Sequence, residues 1–271
     1  MPYSALEESA ESGEPRELYI FTVGQIEYRY TSADEDIVFL TQTYGAVPIS
    51  RTAFDESQEL ARNQLTVTVT RDFEICTLFQ VCPPSEVILL RVFRLHRDDT
   101  ERVVVWMGRV LNVEKRGIQG LITAENVYTS LRRPGLRLRY SRPCQYALYD
   151  PDTCKADREL NRLDVAPSAV GGLIILHVAF EAKPDGFYAG GYVEWEYVTG
   201  SFERRGIRYH VGNSIYISHS IPGFEAGMLL SVFAGCDHTL TDCVDVHDNQ
   251  PNHGGHPFIP IKTPFGGTSV F

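Results

Sequence analysis

The chain has 271 residues, 43% of them hydrophobic, and a formal net charge of -10; that is enough apolar material for one large domain or two modest ones. The acidic balance argues against a nucleic-acid backbone or an anionic membrane as the main partner, since both require a basic face. No apolar run is long enough to span a bilayer and no apolar leader follows Met1-Pro2-Tyr3, so stable membrane insertion is not expected, and six cysteines in a reducing cytosol read first as free thiols or metal ligands.

In chain order, residues 1–17 are polar and acidic and read as an arm or a short leading helix. The β-branched and aromatic run 18–23 and the alternating run 26–31 predict two strands, joined by a tight turn at Gly24-Gln25. Short strands are predicted at 37–40 and 47–51, separated by Thr43-Tyr44-Gly45, and one short helix at 57–63. The clearest alternation is Leu65-Thr66-Val67-Thr68-Val69-Thr70, one face aliphatic and the other threonine, which predicts an antiparallel strand with one wet side. Strands at 87–95 and 101–113 are joined by a polar tip at 96–100, and a strand at 120–127 closes the set. Many short strands at close spacing predict a β-barrel or sandwich rather than a βαβ fold.

Five arginines fall between Arg132 and Arg142, a linker whose charge suits solvent or an acidic neighbouring subunit. The second block starts near Cys144, with strands predicted at 173–178, 192–198, 206–211, 214–218 and 228–232, punctuated by glycine pairs and turns. After Asp245 the chain is rich in proline and glycine and no helix is predicted. The expected organisation is therefore mainly β: a first domain over 1–140, and a small, loop-rich antiparallel domain over 141–271.

The chemistry-bearing residues gather in the second block. Cys144 and Cys154 have nine residues between them, and Cys236 and Cys243 have six, neither of which is the short knuckle of common structural zinc sites. Three readings stay open on spacing alone. They are two local disulfides, a zinc site drawn from Cys236, His238, Cys243 and His247, and an iron–sulfur cluster held by four thiolates from separate loops. Cys76 and Cys82 lie in an apolar setting and read as buried or half-buried thiols. A catalytic reading would combine His238, His247, His253 or His256 with Asp237, Asp242, Asp245 or Asp248 as a metal-assisted hydrolase. No zinc-protease helix, serine elbow, phosphate loop or dinucleotide fingerprint supports it, and the chain is not expected to be an enzyme.

Several segments resemble a family of phage tail-tip or baseplate hub proteins that includes the hub of gene transfer agents. They are 28–32, Thr43-Tyr44, 48–51 and 65–69 in the first half. In the second half they are Arg142-Pro143-Cys144 to Asp152-Thr153-Cys154, Ala234-Gly235-Cys236-Asp237 to Cys243, and the tail Asn252-His253-Gly254-Gly255-His256-Pro257-Phe258-Ile259-Pro260. The resemblance implies a β-barrel hub domain followed by a C-terminal iron–sulfur domain, in a structural virion protein at the distal end of a long non-contractile tail. It implies a homotrimer that adapts the symmetry of the tail tube and forms part of the DNA exit conduit, with a distal tail protein and a central tip or fibre attachment protein as partners. DNA would pass transiently without sequence-specific binding, and the protein would assemble in the host bacterial cytoplasm. The cluster ligands implied are Cys144, Cys154, Cys236 and Cys243, holding a cluster of the [4Fe-4S] type. His253 and His256 stand where the family usually has phenylalanines.

Overall fold

The structure, a computed structural model, describes residues 7–8, 14–53, 64–96, 101–132, 135, 138–198, 201–221 and 223–260. The helix expected at 57–63, the hairpin tip at 97–100, most of the N-terminal arm, part of the arginine run and the tail from 261 lie outside the described residues. The chain divides into two compact units, residues 1–134 with 198–201 and residues 135–197 with 202–271.

The first unit is built on β1 (Pro15–Val23), β2 (Ile26–Thr31), β3 (Ile37–Phe39), β4 (Gln42–Ala46), β5 (Ser50–Arg51), β6 (Gln64–Thr70), β7 (Ile88–His96), β8 (Val103–Arg116) and β9 (Gln119–Asn126). Among the described residues these form one sheet in the order β3-β4-β2-β1-β7-β8-β9-β6-β5. It curls into a half-barrel, and among the described residues no pairing of β3 with β5 closes it. Gly24 takes φ +55 in the two-residue turn that sets Val23 opposite Ile26; a glycine meets no steric penalty in that left-handed conformation.

The alternation of β6 works as expected: Leu65, Val67 and Val69 are buried while Thr66 and Thr68 face outward, and the strand pairs antiparallel with β9. Strand β1 is buried on both faces. Tyr19, Phe21 and Val23 join the main core with Leu90, Val92 and Ile122, and Leu18 and Ile20 join a second cluster with Ile37, Phe39, Phe93 and Leu95.

Two expectations are corrected here. Thr43-Tyr44-Gly45 is not a separator but the body of β4, reached by a turn in which Leu40 and Thr41 take φ 49 and 66. Residues 47–49 are not strand, because the chain pairs again only at β5. A short helix, α1 (Glu74–Leu78), packs Ile75 and Cys76 into the core.

The second unit carries β10 (Arg162–Val165), β11 (Ala169–Gly171), β12 (Ile174–Leu176), β13 (Tyr192–Val198), β14 (Ser201–Val211), β15 (Ser214–Ile217) and β16 (Leu230–Phe233), in the order β10-β16-β13-β14-β15-β12-β11. Val193, Ile207, Ile215, Ile217, Leu230 and Val232 face one core with Phe180, Tyr188 and Phe224. Beside it Glu194 is buried and ion-paired to Arg158 and, at 2.6 Å, to Arg204. The tail after Asp245 is irregular, with one 3-10 turn at Gln250–Asn252, whereas a helix that was not expected, α2 (Leu240–Asp245), precedes it.

Candidate functional site

Two segments far apart in sequence converge in the second unit. Cys144 and Cys154 sit on the loops that follow the arginine run, Cys236 lies just after β16, and Cys243 is inside α2. All four line one narrow cavity, together with Tyr146, Leu148, Asn249 and the side chains of His238, His247 and His253. All six cysteines of the chain are unpaired thiols. Cys76 and Cys82 lie in the first unit, Cys76 buried and Cys82 half-buried.

Each cysteine is placed by backbone contacts that its neighbours make. The Cys144 loop is held on one side where its amide donates to the His238 carbonyl at 2.8 Å. On the other side the tail closes over it: the His256 amide donates to the Ser141 carbonyl at 2.8 Å, and Arg142 Nε donates to the Pro257 carbonyl at 3.1 Å. This closure requires Gly254-Gly255, since a Cβ on Gly254 would stand 2.5 Å from the Tyr146 ring and one on Gly255 would stand 2.5 Å from the Arg142 carbonyl. Cys236 is approached closely by Gly190, whose φ is +83 and whose Cβ would lie 2.8 Å from the Cys236 carbonyl.

The helix α2 that carries Cys243 is short and depends on its start. Thr239 Oγ1 accepts from the Asp242 amide at 3.3 Å as the N-cap, and Asp242 Oδ2 reaches back beyond the cap to accept from the Asp237 amide at 2.9 Å. The aspartates considered for catalysis are thus used differently: Asp242 caps the helix, and Asp237 accepts from the Thr239 amide at 2.7 Å.

The sulfur atoms receive N–H groups. The His238 amide points at Cys236 Sγ at 3.4 Å and the Gly254 amide at Cys144 Sγ at 3.3 Å, while the side-chain amide of Asn249 approaches Cys154 Sγ at 3.8 Å. Donors of this kind stabilise negative sulfur. Burial works the other way on the free thiols. It pushes Cys236 up to about 11, partly offset by the His238 amide and reinforced by Asp242 and Asp237. Burial, followed by the neighbouring Cys144 and Cys154, also raises Cys243.

Asn249 is the residue that sequence reasoning missed. It is buried, its side chain donates to the Cys154 carbonyl at 2.5 Å, and its backbone amide donates to the Cys243 carbonyl at 2.9 Å. Cys243 Sγ in turn donates to the Asn249 carbonyl at 3.2 Å. A lone asparagine in a Pro/Gly-rich tail carries no periodic signal. The Thr239-x-x-Asp242 spacing, by contrast, is a helix-start signature that would have revealed α2.

The histidines divide. His247 Nε2 donates to the Gly235 carbonyl at 2.8 Å and its ring meets Tyr149 edge-on. His256 stacks on Tyr140 at 4.4 Å and does not line the cavity. Neither ring nitrogen of His253 has a partner, although both are buried.

Around the cavity Tyr149, Lys155, His238 and Asp248 all take positive φ, between 43 and 64. Such conformations cost on the order of 1–3 kcal/mol each and persist where the surroundings over-determine them. Among the described residues no group of three His, Cys, Asp or Glu side chains is arranged to hold a single metal ion. The donor set is four thiols, three of them met by N–H groups, which is the donor chemistry that sulfur-ligated groups take.

Residues 186–263 match the model of a family described as phage conserved hypothetical protein BR0599. The chain is 29% identical over 125 residues to an uncharacterized protein of Xylella fastidiosa (strain 9a5c), an alignment that covers 41% of this chain and 26% of that protein; the chain thus matches about a quarter of the length of this curated relative. The fold is shared with a chain from the virion of a native gene transfer agent particle, with a TM-score of 0.79 at 15% identity, over 99% of this chain and 97% of that one. Among the described residues no helix is long and apolar enough to cross a membrane.

Proposed function

We propose that the chain is a structural virion protein of a phage-type particle, the baseplate or tail-tip hub at the distal end of a long non-contractile tail. The observation that carries this reading is the fold shared over nearly the whole length of both chains with a gene transfer agent virion component. The phage family match over 186–263 supports it independently from sequence. In this reading the protein is a homotrimer that adapts the symmetry of the tube, contacts a distal tail protein and a central tip or fibre attachment protein, and forms part of the DNA exit conduit. No turnover is required of it.

Cys144, Cys154, Cys236 and Cys243 are proposed to hold an iron–sulfur cluster of the [4Fe-4S] type. Bound there, such a group supplies four metal–thiolate bonds that add to the hydrogen bonds already joining these segments, and so adds its binding energy to folding. The chain's own part is to place the four sulfurs, to aim amide N–H groups at three of them, and to exclude water with Tyr146 and Leu148. Because burial keeps the Cys236 thiol protonated up to about pH 11, loading the site near neutrality releases protons from the cysteines.

The test is to tag the protein in particles of the parent phage or transfer agent and to locate the tag by electron microscopy, with iron and acid-labile sulfide assayed on the anaerobically purified chain. Label at the distal tail tip and about four irons per chain are expected. Label on the head or along the tube would overturn the hub, and an iron-free protein carrying one zinc would overturn the cluster.

A further inference from the structure

His253 presents a buried polar group that the protein itself does not satisfy. Both Nδ1 and Nε2 are shielded from solvent without a hydrogen-bond partner, and the ring lines the cavity formed by the four cysteines. An imidazole in either neutral tautomer carries one N–H, and leaving a buried donor unpaired costs about 1–3 kcal/mol. The neighbouring backbone fixes where the main chain of this residue stands. The amide of Gly254, the next residue, donates to Cys144 Sγ at 3.3 Å, and the His253 amide donates to the Gln250 carbonyl at 3.2 Å. The backbone of the segment is thus held at the Cys144 sulfur.

His247 makes the contrast clear. Its Nε2 proton is spent on the Gly235 carbonyl, so in the neutral ring its Nδ1 is an acceptor and has no proton to offer the sulfurs. Of the three histidines lining the cavity, only His253 is buried at both nitrogens without a partner at either.

We infer that His253 donates a ring N–H to a sulfur atom of the metal centre held by Cys144, Cys154, Cys236 and Cys243, and thereby sets its reduction potential as a positioning and tuning residue that is not a ligand. The inference rests on the iron–sulfur reading of that site. Hydrogen bonds to cluster sulfurs withdraw electron density and favour the reduced state, which is one of the protein's main controls on potential. A fourth N–H would thus join the three supplied by His238, Gly254 and Asn249.

The experiment compares the anaerobically purified wild-type chain with His253→Phe, which keeps a flat ring and removes the donor, and His253→Gln, which keeps an N–H. Iron, acid-labile sulfide and midpoint potential are measured on each. With iron and sulfide equal in all three, the potential should shift negative in the Phe variant and return toward the wild-type value in the Gln variant. A Phe variant that is fully loaded and has the wild-type potential overturns the inference while leaving the cluster intact. A wild-type chain without iron and sulfide overturns the cluster reading, and this inference with it. Should the Phe variant fail to load, pulsed EPR of the reduced wild-type protein with nitrogen-15 histidine replaces it: coupling of a ring nitrogen to the centre that is absent from the loaded Gln variant supports the bond, and no such difference overturns it.

Discussion

Asn249 holds Cys154 across a separation of 95 residues, its side-chain amide donating to the Cys154 carbonyl at 2.5 Å and lying 3.8 Å from the Cys154 sulfur. The same residue binds the Cys243 carbonyl through its backbone and orients its own Oδ1 toward Asn252 at 2.6 Å. One residue, through its side chain at Cys154 and its backbone at Cys243, thus ties two of the four cysteines together. Asn249→Ala leaves the Cys154 carbonyl without this buried donor and should cost about 1–3 kcal/mol. Urea unfolding should show a lower midpoint, and a thiol reagent should label Cys154 faster. Unchanged labelling would mean that the loop is fixed by other contacts.

The two adjacent glycines of the tail differ in what they face, so their substitutions should differ in severity. At Gly255 an added Cβ meets the backbone of residues 142–144, the Arg142 carbonyl at 2.5 Å, the Pro143 carbonyl carbon at 2.7 Å and the Cys144 amide at 2.8 Å. At Gly254 its three nearest neighbours are all atoms of the Tyr146 ring, the first at 2.5 Å, and a ring can turn aside. Gly255→Ala should therefore release the tail from the Cys144 loop, and Gly254→Ala should be milder, at about 1–3 kcal/mol. Combining Gly254→Ala with Tyr146→Ala should recover part of that loss, whereas the same partner change should do nothing for Gly255→Ala. Thermal melting of the four variants separates the cases.

Gly120 and Cys76 form a comparable pair in the half-barrel. A Cβ on Gly120 would lie 2.5 Å from Cys76 Sγ, with Val69 Cγ2 at 3.3 Å and the Thr70 carbonyl at 3.4 Å. Gly120→Ala should destabilise by about 1–3 kcal/mol through overpacking, and Cys76→Ala should offset much of it by vacating the sulfur's volume. A double variant no more stable than Gly120→Ala alone would show that the strand, rather than the thiol, resists the methyl.

The strands that alternate strictly were readable because each side chain faces one environment. β6 has aliphatic side chains inward and threonines outward, and the hairpin at Gly24-Gln25 is set by a glycine in a left-handed conformation. Where tertiary context decides, the pattern gave out. Strand β4 uses Gly45 beside a parallel partner, β2, although Gly45 reads as a turn residue. Strands β10 and β11 are too short to display a period. In the site, the chemistry of cysteine drew attention to four positions that line one cavity, but the atoms that place them are backbone amides and a single asparagine. Such groups occur in every residue, so no sequence pattern marks the ones that point at sulfur. Helix α2 differs, since its Thr239-x-x-Asp242 cap is written in the sequence, but six residues are too few to display a helical period.

Glu17 gives the first unit a defined acid limit. Burial alone would raise its carboxyl. Hydrogen bonds from Arg51 and Tyr19, the Arg51 charge and a hydrogen bond from Arg94 outweigh burial and hold it below the ordinary value; Tyr19 Oη donates at 2.7 Å and Arg51 Nε at 2.9 Å. With the folded value depressed, the native state binds fewer protons than the unfolded chain in this window. The contribution is complete above the ordinary glutamate value of about 4.3 and is lost as pH falls through the folded value. Glu17→Gln should lower the urea midpoint at pH 7 and flatten its decline below about pH 4. An acid limb as steep as that of the wild type would assign the slope to other carboxylates.

Cys236 and His247 separate the role of a ligand from that of a support. Cys236→Ser replaces a proposed thiolate ligand with a hydroxyl that binds iron poorly, so iron and sulfide should fall well below the wild-type content and the second unit should lose the protease resistance that comes from joining its loops. His247→Ala removes the 2.8 Å bond to the Gly235 carbonyl and the edge contact with Tyr149, while Tyr149 Oη still holds the adjacent Ala234 carbonyl at 2.8 Å. That variant should lose about 1–2 kcal/mol and keep its full iron content. The ordering of the two losses is the informative quantity. If His247→Ala empties the site while Cys236→Ser retains iron, the centre is built on imidazole rather than on four thiolates.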